Sequence, residues 1–145
     1  LFFAVLSRAR GKYSFSVINV CIMSNHVHLI IEPRRGENLS RIMQWILSVF
    51  AIQYNRKAGV SGHLWHDRFK SVILHTLLQF VKTFIYIAEN PVTAGIVERP
   101  QDYPFNGVSL LKKGVYHLIN PPDVYLRLLL PLFGPRLLAA AGWKN

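Results

Sequence analysis

Acidic residues are scarce in this chain of 145: Asp and Glu number 7 against 17 Lys and Arg, a formal charge of +10. An excess of that size on a small domain attracts polyanions over several ångströms, nucleic acid first and an anionic membrane surface second. Cysteine is nearly absent as well. The single Cys21 excludes an internal disulfide framework and any multi-cysteine zinc site. Its place in an apolar, β-like run marks it as a buried small hydrophobe, in keeping with a reducing, cytoplasmic setting. Polar low-complexity stretches and internal repeats are missing, which excludes a disordered tail. No apolar run suits a membrane. Residues 1–6 are apolar but short, and the charges Arg8, Arg10 and Lys12 follow that run rather than precede it, unlike a signal peptide. Residues 126–141 are interrupted by Arg127, Pro131, Gly134, Pro135 and Arg136, where a spanning helix needs about 20 apolar residues. No membrane partner is expected.

The chain is hydrophobic over 51% of its length, which suffices for one ordinary core. Residues 1–9 read as the end of a helix stopped by Gly11. Residues 13–23, rich in β-branched and aromatic side chains, read as a strand, and residues 26–32 as a second, joined in a hairpin by Ser24-Asn25. Leu39, Ile42, Met43, Ile46 and Phe50 carry the helical repeat over residues 38–54. Residues 55–62 form a polar turn, 64–75 a further strand, and 77–89 a second helix closed by Asn90-Pro91. This order predicts a small α+β sandwich with helices packed on one face of the sheet.

His26-Val27-His28 carries chemistry. Alternate residues of a strand share a face, so the two imidazoles point the same way, about 7 Å apart along the chain. They can hold one cation between them. A third ligand has to come from elsewhere, and positions stay open for water or a substrate oxygen, the layout of a catalytic rather than a structural site. The plainer reading is a pair of strand histidines hydrogen-bonded to neighbours. His63, His66 and His75 fit surface or DNA-facing polar positions, and His117 has no local partner that gives it a role.

The second helix adds a nucleophile. With Tyr86 at zero on a wheel stepping about 100° per residue, Gln79, Lys82, Thr83, Glu89 and Asn90 fall within about 60° of it. Leu77, Leu78, Val81, Phe84, Ile85 and Ala88 take the other side. Tyr86 thus sits in the polar stripe, where a rim tyrosine is the plain alternative. Lys82, one turn earlier, is placed to stabilise a phenolate or a phosphate. Asn90, one turn later, could complete the metal ligand set with an amide oxygen. A phenol of ordinary pKa near ~10 needs cationic help or a base to attack phosphorus. A cation on the phosphate oxygens supplies the complementary half, and the product is a covalent phosphotyrosine.

Four segments in order resemble one family, the REP-associated tyrosine transposases and their single-tyrosine HUH insertion-sequence relatives. Met23-Ser24-Asn25-His26-Val27-His28-Leu29 is similar to the family's "M-P/S-N-H-x-H" signature. Gly62-His63-Leu64-Trp65-His66-Asp67-Arg68-Phe69-Lys70 resembles its "G-x-L-W-x-x-R-F/Y-K" segment. The stretch from Tyr86 through Glu89-Asn90-Pro91-Val92 to Val97 resembles "Y-I-x-x-N-P-V-x-A-G-L-V", and Asp102-Tyr103-Pro104-Phe105 resembles "D-Y-x-W/F-S-S". The resemblance covers roughly residues 20–108.

It implies a ferredoxin-like α+β sandwich over residues 1–110, with an opening strand absent from this chain, followed by a C-terminal helical extension over 111–145. It implies that His26 and His28 are the metal pair, Tyr86 the nucleophile and Asn90 the polar residue one turn after it. The family cuts and rejoins single-stranded DNA near hairpins, leaving a 5′-phosphotyrosine and a free 3′-OH with magnesium or manganese as cation. Two imidazoles tilt the chemical preference toward manganese. A homodimer and a monomer both occur among the relatives. The sequence departs from the family at its start, at His75-Thr76-Leu77-Leu78-Gln79, where the relatives are acidic, and at Phe105-Asn106-Gly107, where they carry aromatic-Ser-Ser. Arg34, Arg35, Arg41, Arg56, Lys57, Arg68 and Lys70, with Trp65 among them, are the candidate contacts to single-stranded or hairpin DNA. The alternative function is a non-catalytic, hairpin-binding remnant of such an enzyme.

Overall fold

A computed structural model describes residues 1–119. The helical extension expected over 111–145 therefore lies, from residue 120 on, outside the described residues. The chain is α+β: α1 (Phe2–Lys12), β1 (Phe15–Ile22), β2 (Val27–Pro33), α2 (Leu39–Ala58), α3 (Leu77–Thr93), a 3-10 turn (Pro100–Asp102) and α4 (Gly107–Lys112). β1 and β2 form an antiparallel hairpin, as expected, and Cys21 makes an isolated antiparallel bridge to Asn106. Among the described residues no helix is long and apolar enough to cross a membrane.

Two compact units divide the described residues, Leu1–Phe15 with Pro33–Ile73, and Ser16–Glu32 with residues 74–119. The first is helical. Phe2, Val5, Leu6 and Ala9 recur at helical spacing and bury one stripe of α1. That stripe packs against α2, with the Phe2 and Phe50 rings edge-on at 5.3 Å. α2 starts where the Asn38 side chain accepts from the Arg41 N–H and ends at Gly59, whose left-handed φ of 67° suits glycine. Gly11 does not stop α1, which continues to Lys12, because a glycine inside a helix costs only about 1 kcal/mol.

The expected strand over 64–75 does not form; the segment is irregular, with Val72 84% and Ile73 73% exposed. Its β-branched and aromatic residues favour a strand only where a neighbouring strand takes up the backbone groups. Here the segment is held on α2 instead, by the Trp65 indole N–H donating to the Leu47 carbonyl at 2.9 Å and by the Trp65 ring 5.5 Å from Phe50.

In the second unit β1 is buried along nearly its whole length. Its core cluster joins Ile18, Cys21 and Ile30 to Phe80, Phe84, Ile87 and Ala88 of α3 and Val108 of α4. Burial pushes the Cys21 thiol up to about 11. α3 opens with a capping box in which Thr76 and Gln79 satisfy each other's backbone N–H groups. It runs through Pro91 rather than closing at Asn90. Two fully buried amides grip it from outside: Asn19 of β1 donates to the Phe84 carbonyl at 3.1 Å, and Asn106 donates to the Ala88 carbonyl at 2.7 Å. Each amide oxygen accepts a backbone N–H in return, from Val20 and from Val108. A Cβ on Gly107 would collide with the Asn19 and Ile119 side chains, so this position admits only glycine without rearrangement.

Removing the Asn106 amide leaves the buried Val108 N–H without its acceptor and takes the side-chain donor from the Ala88 carbonyl. Asn106→Ala is expected to lower the free energy of unfolding by about 1–3 kcal/mol, measured by urea denaturation. A change within about 0.5 kcal/mol, as at an ordinary surface position, would show these bonds to be dispensable.

Candidate active site

The β1–β2 turn brings the histidines forward. The Met23 N–H donates to the His26 carbonyl at 2.9 Å, closing the turn, so His26 lies at the mouth of β2 and His28 inside it. As the strand period requires, the rings share a face, and they converge to 4.8 Å between centroids, edge to face. Tyr86 meets them from α3: its ring lies 5.4 Å from that of His28, again edge to face, while the residue remains 59% exposed. Asn90, one turn further along α3, places Oδ1 3.4 Å from His26 Nε2. On its other side His26 Nδ1 lies 2.7 Å from Asn25 Oδ1. Four side chains from one hairpin and one helix thus share an open, solvent-facing site within a single chain.

His28 is the more enclosed imidazole. Burial first and the neighbouring His26 second push its pKa below the ordinary value. The neutral form, which carries a free lone pair, is therefore favoured. Among the described residues no group of three His, Cys, Asp or Glu gathers closely enough to hold a metal; the Asn90 amide oxygen is a further donor beside His26. Two imidazoles and an amide oxygen form a neutral, open donor set of the kind that holds a divalent ion with substrate. His26 Nε2 and Asn90 Oδ1 lie 3.4 Å apart, a few tenths of an ångström wider than neighbouring ligands of one octahedral ion. The residues fit such an ion.

Lys82 lies exposed on α3 one turn before Tyr86. Arg34, Arg35, Arg41, Arg56, Lys57, Arg68 and Lys70 are all exposed and all belong to the first unit. Trp65, half-buried there, is engaged with Leu47 and Phe50 as described above. The Asp102-Tyr103-Pro104-Phe105 motif has a building role. Asp102 pairs with Arg99 through two bonds, the Tyr103 hydroxyl donates to the Ile22 carbonyl at 2.8 Å, and the Phe105 carbonyl accepts the Ile22 N–H at 3.0 Å. The motif thereby fixes the end of β1 from which the histidine turn departs. Sequence reasoning leaves out Asn19 and gives Asn25 and Asn106, named there in motifs, no part in building the site; a polar residue interrupting the apolar run 15–22 is the available signal for Asn19.

The family described as Transposase IS200 like matches residues 2–90, more than half of the chain, and the chain belongs to that family. It is also 25% identical over 104 residues to a Haemophilus influenzae protein whose name assigns it to the REP-associated tyrosine transposases. That match takes in 65% of this chain, and the chain spans 59% of the relative's length. No solved structure matches the chain significantly.

The depressed pKa of His28 has a consequence for stability. An unfolded histidine titrates near ~6.5; one whose folded value lies lower leaves stability undiminished above that pH and subtracts from it as the pH falls through the folded value. We expect the His28 ring resonance to titrate with a midpoint below that of a histidine in the urea-unfolded chain, read by NMR. A midpoint at or above the unfolded one would contradict the enclosure of this ring.

Proposed function

We propose that this chain is a metal-dependent single-stranded DNA endonuclease and strand transferase, a DNA transposase of the HUH type with Tyr86 as nucleophile. The observation that carries the reading is the approach of the Tyr86 ring to His28 within one chain, beside a His26–Asn90 pair whose donor atoms lie 3.4 Å apart. His26, His28 and Asn90 would hold Mg2+ or Mn2+. Such an ion draws charge off the oxygens of a phosphate and orients it.

The rest of the chemistry belongs to the side chains. The Tyr86 oxygen, having lost its proton to solvent, attacks the phosphorus of a backbone phosphodiester. A bond forms between phosphorus and the tyrosine oxygen while the bond from phosphorus to the 3′ oxygen breaks. The electron pair leaves with that oxygen, which takes up a proton to become a free 3′-OH. The downstream strand stays attached to Tyr86 through its 5′ phosphate, and attack by another 3′-OH reverses the exchange. Lys82, exposed one turn away on the same helix, is placed to meet the incoming phosphate. The exposed cations Arg34, Arg35, Arg41, Arg56, Lys57, Arg68 and Lys70 supply the phosphate contacts that bring single-stranded or hairpin DNA to the protein, and the net charge of +10 supports that partner. The meeting of the tyrosine and the histidines in one chain supports action within a monomer over a homodimer.

The test uses a hairpin-bearing single-stranded oligonucleotide labelled at its 3′ end, with Mn2+, resolved on a denaturing gel. The expected product is a labelled protein–DNA adduct that vanishes in Tyr86→Phe and in the His26→Ala, His28→Ala double variant, while Tyr86→Phe keeps its affinity for the oligonucleotide. An adduct that persists in Tyr86→Phe removes that residue from the role. Binding without any adduct in the unaltered protein leaves a DNA-holding remnant as the better reading.

A further inference from the structure

We propose that Asn25 is a positioning residue that fixes the tautomer of His26, holding the ring proton on Nδ1 so that an unprotonated Nε2 faces Asn90. The purpose of this arrangement rests on the metal reading above; its geometry does not.

A neutral imidazole carries a proton on one nitrogen and a lone pair on the other. The Asn25 amide oxygen can only accept, and it lies 2.7 Å from His26 Nδ1, a short hydrogen bond. The proton therefore belongs on Nδ1. Nε2 is left with its lone pair, and it faces a second acceptor, Asn90 Oδ1, at 3.4 Å, at the outer edge of hydrogen-bond length. Two acceptors aimed at each other with no proton between them are unfavourable alone and are relieved by a cation that both can bind. Asn25 adjoins His26 in the turn closed by the bond from Met23 N–H to the His26 carbonyl, so the amide is carried on the same rigid piece of backbone as the ring it orients. Groups that grip a metal-binding histidine by its far nitrogen set its tautomer, and their loss weakens metal affinity by about 10–100-fold. The opposite arrangement reverses the Asn25 amide alone: Asn25 then donates to Nδ1, and Nε2–H donates to Asn90 Oδ1 where it stands. The two arrangements differ in which ring nitrogen bears the proton.

The experiment reads that proton directly. Nitrogen chemical shifts of His26 are measured by NMR in the metal-free protein, above the imidazole titration range, for the unaltered chain, Asn25→Ala and Asn25→Asp, and Mn2+ is titrated into each. The expected result is a protonated Nδ1 and a bare Nε2 in the unaltered chain and a mixture of tautomers in Asn25→Ala. Asn25→Asp, which keeps the acceptor, restores the pattern. Mn2+ affinity is expected to fall about 10–100-fold in Asn25→Ala and to be regained in Asn25→Asp. Asn25 is exposed, so its replacement leaves the core intact. A proton on Nε2 in the unaltered chain, an Asn25→Ala variant with unchanged tautomer, or one with a changed tautomer and unchanged Mn2+ affinity overturns the proposal. Failure of the unaltered chain to take up Mn2+ with the tautomers as expected counts against the metal reading and supports the control of His26 by Asn25.

Discussion

Two amide hydrogen bonds decide how α3 is turned about its own axis. Asn19 and Asn106 reach the carbonyls of Phe84 and Ala88, which lie four residues apart and so on one side of the helix. Tyr86 and Asn90 each follow a gripped residue by two positions, a rotation of about 200°. Holding the buried side therefore presents the opposite side to the histidine turn. Apolar packing of Phe80, Phe84 and Ile87 would tolerate some rotation, because it has no direction. A hydrogen bond in a dry interior tolerates much less, since a buried amide N–H that loses its acceptor there has no water to replace it. The core supplies adhesion, and the two asparagines supply orientation.

Much of the site was legible because it follows from period. Alternation along a strand puts His26 and His28 on one face, and a helical wheel puts Tyr86 and Asn90 on another; both patterns survive in three dimensions. What escaped depended on partners far along the chain. Nothing local marks Asn106 as the donor to Ala88, eighteen residues before it. Residues 64–75 misled for the same reason. Their composition suits a strand, but the residue that fixes the segment is Trp65, through a carbonyl of α2. Helix ends were misjudged where a breaker was read as absolute. Pro91 removes one N–H and α3 still runs to Thr93, because the Ala94 N–H bonds to the Asn90 carbonyl and the Ile96 N–H bonds to the Pro91 carbonyl.

The family motifs divide by function once their contacts are known. Tyr103 and Trp65 spend their polar atoms on backbone carbonyls of the protein, and Asp102 spends its own on Arg99 at the surface. His26 and Tyr86 keep theirs at an exposed face. A short motif can thus hold a strand end in place without touching anything that binds, and its place in the family signature alone does not distinguish the two uses.

The sole cysteine is fully enclosed and its thiol stays protonated far above neutral pH. The protein is consequently silent toward maleimides and other sulfhydryl-directed labels while folded. A cysteine introduced on the outer surface of either compact unit would be the one reactive handle there, so a pair of spin or fluorescent probes can report the spacing of the two units without first engineering away the native residue.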